Sequence, residues 1–232
     1  MKELSAVRVV FEAPNPVLLE NVSPDGFRSA YDSLIALNGE KYTEDDTASS
    51  SVVVNADQIF DASTNKKIGC LDDPCLMSLN GVLRASREWL FADKPVSINA
   101  WDNFEPEQGY VQAPNGGWHS DWRPGEDTFR GVLIYDGHPT EFAVGKAELH
   151  IAEEALSSLF FPAALKRAIY KSEGDTLNQL TRVDGPDPYR LVGIDGDHWH
   201  RARGFDETDE VRRIIRMSTI RSVGLDRHDE YA

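Results

Sequence analysis

The stretch GDHWHRARGFDETDEVRRIIRMSTIR, residues 196–221, decides how this chain is read. Histidines stand at alternate positions, His198 and His200, and after a short acidic loop comes RRIIRMSTI, a run of strand-forming composition. In an extended chain successive side chains point to opposite faces. Arg212, Ile214, Arg216, Ser218 and Ile220 then share one face, and Arg213, Ile215, Met217 and Thr219 share the other. Two arginines facing an apolar interior are costly without anionic partners, so this strand calls for a carboxylate.

A second stretch, GGWHSDW at 116–122, carries the matching chemistry. Extended, it puts His119 and Asp121 on one face and Ser120 on the other, so a nitrogen ligand and an oxygen ligand point at the same spot. Trp118 and Trp122 share the face of Ser120 in a regular strand, where they serve as core or lid packing or as substrate contacts. Around these two stretches lie short apolar or alternating runs punctuated by glycine and proline: VSINAWDNF, GYVQ, GVLIYDG, TEFAVG and YRLVGIDG. Such spacing predicts an antiparallel sandwich or barrel from about residue 94 onward. IAEEALSSLFFPAALKRAIYKSE (151–173) is helical in composition and is broken by Pro162, which predicts a helical insertion between strands.

The N-terminal third, 1–93, reads as a helical and irregular support region. Asp25 is placed to cap a helix over FRSAYDSLIALNG, with Phe27, Tyr31, Leu34 and Ile35 on one face and Gly39 at the stop. KYTEDDTASSS (41–51) is polar and serine-rich and predicts a surface loop. A second helix fits 78–91, with Leu79, Val82, Leu83, Ser86, Trp89 and Leu90 as its buried stripe. The whole is expected to be one domain, with a core at 94–222 and a tail at 223–232.

Composition narrows the function classes. Of 232 residues, 41% are hydrophobic and 27% charged, as in an ordinary globular protein. Against 24 basic residues stand 39 acidic ones, a formal charge of −15 that repels nucleic acid and anionic lipid, so neither is expected as a partner. The start lacks the apolar core of a signal peptide and no run reaches the length of a membrane span, which predicts a cytoplasmic protein with no membrane partner. Cys70 and Cys75 are too few for a zinc site and wrongly spaced for a redox pair, and are expected to be reduced. His138, His150 and His228, and Glu126 and Asp127, read as solvated.

Taken jointly, HSD, about eighty residues, HR, and an arginine on the last long strand resemble the Fe(II)- and 2-oxoglutarate-dependent dioxygenases over about 94–222. The resemblance implies a mainly β fold, a double-stranded β-helix (jelly-roll, cupin-like) core packed against N-terminal helices. It implies His119, Asp121 and His200 as the metal ligands, with His198 as the alternative distal ligand. It further implies Arg216 first and Arg212 second as grips for 2-oxoglutarate, aided by the phenol of Tyr110. Two imidazoles and one carboxylate cover one face of an octahedral iron and leave room for a bidentate oxo acid and dioxygen. Arginine's planar fork suits the distal carboxylate.

The reaction so implied is hydroxylation of an unactivated C–H bond in a small molecule such as an amino acid or short peptide, with succinate and carbon dioxide as co-products. Desaturation or cyclisation is the less frequent outcome, and Asp121 disfavours halogenation, which needs a small residue there. A protein or peptide side-chain hydroxylase is the enzymatic alternative. A cupin-like metal- or anion-binding protein is the alternative from another class.

Overall fold

The computed structural model describes residues 6–42, 47–91, 93–103, 118–121, 129–137, 139–152, 165, 169, 176–202 and 212–219, and every structural statement below concerns these. Tyr110, Trp122, Glu126, Asp127, His138, His228, the GYVQ run and the 223–232 tail lie outside them.

Two antiparallel sheets face each other. The smaller holds β1 (Ala6–Ala13), β9 (Thr140–Ala152), β10 (Thr181–Asp184) and β12 (Trp199–Ala202), with β9 pairing all three others. The larger contains β2 (Val17–Asn21), β3 (Gly39–Tyr42), β4 (Thr47–Asn55), β5 (Gln58–Asp61), β6 (Lys67–Cys70), β7 (Val96–Asn103), β8 (Arg130–Tyr135), β11 (Arg190–Asp195) and β13 (Arg212–Thr219). Its order is β2-β11-β8-β13-β7-β4-β5-β6, with β3 beside β4. From β7 onward the chain crosses between sheets: β7 large, the HSD segment small, β8 large, β9 and β10 small, β11 large, β12 small, β13 large. That interleaving is a double-stranded β-helix, as expected.

Two helices cover the outer face of the large sheet, α1 (Pro24–Asn38) and α2 (Met77–Ser86). Phe27, Ala30, Tyr31 and Leu34 of α1 and Leu79, Val82 and Leu83 of α2 pack on Val52, Val54, Val96, Ile98, Val132, Ile134, Ile215 and Met217. This is the largest core cluster, and burial of apolar area on this scale dominates the driving force for folding. The expected cap needs correcting: the Ser23 hydroxyl accepts the Gly26 N–H at 3.1 Å, Pro24 takes the first helical position, and Asp25 sits in the first turn. The second helix ends at Ser86, whose hydroxyl donates back to the Val82 carbonyl at 2.8 Å. Trp89 leaves it to donate from Nε1 to the Ile194 carbonyl at 3.0 Å. Gly193 lies directly beneath that ring, where a Cβ would come within 2.8 Å of it.

The first third differs most from the expectation. Beyond its two helices it holds six strands, β1 to β6, and the segment 41–51 belongs largely to β3 and β4 instead of a surface loop. Serine hides β4 from a composition reading. Val52 and Val54 face the helices while Ser49 and Ser51 face the other way, so only half of the strand needs to be apolar. Within 151–173, β9 runs on to Ala152, and Leu165 and Ile169 are helical; the rest lies outside the described residues. Both cysteines are free thiols, and Cys75 is exposed. Among the described residues no helix is long and apolar enough to cross a membrane.

Candidate metal centre

The two histidines of the site are joined by backbone. His119 and His200 form an antiparallel bridge, His119 N–H donating to the His200 carbonyl at 3.0 Å and His200 N–H to the His119 carbonyl at 2.9 Å. Their rings therefore leave the same side of the small sheet, with centroids 4.4 Å apart. Asp121 follows two residues later on that side, and its Oδ2 lies 3.8 Å from His200 Nε2. One ligand atom from each of His119, Asp121 and His200 falls within 4.8 Å of the others. The face shared by His119 and Asp121 was readable from alternation alone.

The protonation of His200 suits a ligand. Its Nδ1 faces the His198 carbonyl at 3.2 Å, an oxygen that can only accept, so Nδ1 carries the proton and Nε2 keeps its lone pair. Burial at 5% exposure, reinforced by neighbouring His119, pushes the imidazole down to about 4, so it stays neutral at physiological pH. A lone pair and a carboxylate oxygen facing each other at 3.8 Å are too far apart for a hydrogen bond. A divalent cation between them is the natural complement, and a carbonyl-oriented imidazole is the arrangement metal-binding histidines use. The donor set of two neutral imidazoles and one carboxylate fits ferrous iron.

His198, the alternative distal ligand expected from the sequence, makes its own set of contacts. Its Nε2–H donates to the Asn15 carbonyl at 3.0 Å, while Nδ1 accepts the Asp195 N–H at 2.9 Å and lies 2.8 Å from Asp195 Oδ1. Both ring nitrogens are engaged, and the side chain ties the start of β12 to the β1–β2 connection. Trp118 is 3% exposed and packs with Trp199, Ala143, Ala147, Leu149 and Ile169 on the far side of the small sheet. Arg201 stacks over its ring at 4.6 Å. It lies on the face opposite His119.

Both arginines of β13 face the inner side of the large sheet, as alternation required, but their surroundings differ. Arg216 donates from Nη1 to Asp121 Oδ1 at 3.1 Å. Arg212 is 2% exposed, donates from Nη2 to the Thr140 hydroxyl at 2.5 Å, and lies over the Tyr135 ring at 4.7 Å. Burial pushes the Tyr135 phenol up to about 12, so it remains a donor, bonded to the Pro186 carbonyl at 2.7 Å. Asp136 pins the start of β13 by accepting the Arg213 N–H at 2.7 Å and Arg213 Nη1 at 3.0 Å. Beside it Gly137, at φ +78°, passes close to the Arg212 backbone, a conformation glycine adopts freely.

Sequence reasoning missed Thr140, which shares the inner face of β9 with Phe142 and carries no signature of its own. It also missed a polar row on the inner face beyond β13. Asn99 pairs in register with Arg216 on one side and Ser51 on the other, and Ser51 donates its hydroxyl to Asn99 Oδ1 at 2.8 Å. Ser97 and Trp101 flank Asn99 on the same face of β7, and all are half-buried.

No protein-family model matches the chain, and no curated protein does. Several solved structures are similar in outline. An oxidoreductase of the 2OG-Fe(II) oxygenase family from Burkholderia pseudomallei is 11% identical, covering 91% of this chain and 85% of that one at a TM-score of 0.39. A full-length Neurospora crassa protein in complex with alpha-KG is 8% identical, covering 91% and 74% at a TM-score of 0.41. EvdMO1 is 12% identical, covering 91% and 49% at a TM-score of 0.45. Likeness at this level carries no argument about activity; the side chains gathered between the two sheets do.

Proposed function

We propose that the chain is an Fe(II)- and 2-oxoglutarate-dependent oxygenase that hydroxylates a C–H bond of a small polar molecule such as an amino acid or short peptide. The observation that carries this reading is the convergence of His119, Asp121 and His200 on one point, facing a strand that brings two arginines to the same interior. His119, the Oδ2 of Asp121 and the Nε2 of His200 would hold the iron. When bound, iron with 2-oxoglutarate and dioxygen supplies a two-electron oxidation: one oxygen atom enters the C–H bond, the other leaves in succinate, and carbon dioxide is released.

The chain's own part is binding, orientation and exclusion of water. Arg212 with Thr140 takes the distal carboxylate of 2-oxoglutarate, because a fully buried guanidinium beside a hydroxyl is a preformed carboxylate grip. This reverses the order of the two arginines expected from sequence, and the bond from Arg216 to Asp121 supports the reversal. Tyr110 keeps its place as a further donor in the proposal, outside the described residues. Phe129, Leu133, Phe142, Val144, Val192 and Ile194 keep water from the closed end of the interior. Ser51, Ser97, Asn99 and Trp101 form the floor on which a small polar substrate lies, which favours a hydrogen-bonding substrate over a hydrocarbon.

The test is succinate release from 2-oxoglutarate under air by the full chain with added Fe(II), with and without a panel of L-amino acids and dipeptides. Succinate that rises with one member of the panel is the expected result. Iron binding with no turnover under any of these conditions would favour the cupin-like binding protein and end the oxygenase reading.

A further inference from the structure

We propose that Arg216 is a positioning residue for the metal, which sets the orientation of Asp121 and leaves the co-substrate to Arg212. The proposal rests on the metal site described above. The two oxygens of Asp121 have separate surroundings: Oδ1 accepts from Arg216 Nη1 at 3.1 Å, and Oδ2 faces His200 Nε2 at 3.8 Å. Reciprocal backbone bonds to His200 fix His119, two residues before Asp121. A side chain from the opposite sheet thus reaches across the interior to one of the three candidate ligands. Arg216 is itself well anchored, paired in register with Asn99 on β7 and Leu133 on β8, with its guanidinium 5.9 Å from the Trp101 ring.

Two effects of Arg216 on a bound cation oppose each other. Its charge repels a divalent ion, whereas its hydrogen bond holds the carboxylate in one rotamer with Oδ2 turned inward. Arg216 is about a third exposed and Asp121 is nearly buried, so the repulsion is screened by water on one side while the hydrogen bond is not. The orienting effect wins. Partners of metal ligands commonly change metal affinity by about 10- to 100-fold when removed.

The test uses the full chain and reads binding alone. Mn(II) affinity is measured by electron paramagnetic resonance titration, and 2-oxoglutarate affinity by calorimetry at saturating Mn(II). Arg216→Gln should weaken Mn(II) by about 10- to 100-fold and leave 2-oxoglutarate binding at saturating metal near wild type. Arg216→Lys, which keeps the charge and one donor, should recover part of the loss. Arg212→Gln should do the reverse, sparing Mn(II) and weakening 2-oxoglutarate. Mn(II) binding by Arg216→Gln that is unchanged or tighter overturns the proposal, as does a loss confined to 2-oxoglutarate. A wild-type chain that takes up no Mn(II) overturns the metal site itself, an outcome separate from any difference among the variants. Circular dichroism and melting of each variant confirm that only folded protein is compared.

Discussion

One row of side chains crosses the inner face of the large sheet: Val192, Leu133, Arg216, Asn99 and Ser51, one each from β11, β8, β13, β7 and β4. Its first two members are buried among Phe142, Val144 and Ile194, under the cover of the small sheet. Its last three are polar and half-buried. The sheet is continuous across this boundary, so the change is one of side chains and not of backbone. Hydrocarbon closes one end and fixes the two sheets together, while the polar end is left to bind. A mutation at the closed end should therefore act on stability and one at the open end on binding.

The largest expected effect is at the boundary. Asp121→Ala should abolish turnover and divalent-cation binding while moving the melting temperature little, since it removes an ion pair and no apolar area; retained turnover would remove Asp121 from the ligand set. Next comes Phe142→Ala at the closed end, expected to cost about 3–5 kcal/mol in denaturant unfolding. Because the Phe142 ring lies 5.9 Å from that of His200, it should also loosen the metal site, and a chain destabilised by less than about 1 kcal/mol would show that the closed end is not tightly packed.

Acid should act on the same boundary. His200 is held near 4 when folded against 6.5 for an ordinary imidazole, so the unfolded chain takes up the proton first. The stability this represents is present above about pH 6.5 and is lost as pH falls towards 4, amounting to about 2 kcal/mol between about pH 7 and about pH 5. Urea midpoints of the metal-free chain should show it, and His200→Gln should lose that part of the slope. An equal slope in the variant would assign the acid sensitivity elsewhere. The smallest stability effect belongs to the open end: Asn99→Ala should change unfolding by about 0.5 kcal/mol or less while raising the KM for substrate several-fold. If stability falls and KM does not, the polar row is structural.

Legibility in the sequence followed the same division between local and distant causes. The shared face of His119 and Asp121, that of Arg212 and Arg216, and the buried stripes of both helices as far as Leu34 and Ser86 are consequences of short-range periodicity, and could be read. His198 could not be separated from His200 by spacing, because what distinguishes their surroundings is Asn15, a partner far away in the chain. Thr140 was invisible for the same reason, and so was the different employment of the two arginines. The strands of the first third were hidden by composition: β4 carries Ser49 and Ser51 on the face turned away from the helices, and β1 is an edge strand with Val10 exposed.

The bridge between His119 and His200 means that two of the three candidate ligands share a single pair of peptide hydrogen bonds. Residues paired this way keep a Cα separation of about 5.5 Å whatever their side chains do. The imidazoles thus act as one jaw of a vice whose opening the backbone has chosen, and Asp121, steadied by Arg216, is the other. Discrimination between neighbouring first-row metals should therefore respond to changes at position 121 or at Arg216, and hardly at all to changes behind the histidines that leave this pair of bonds intact.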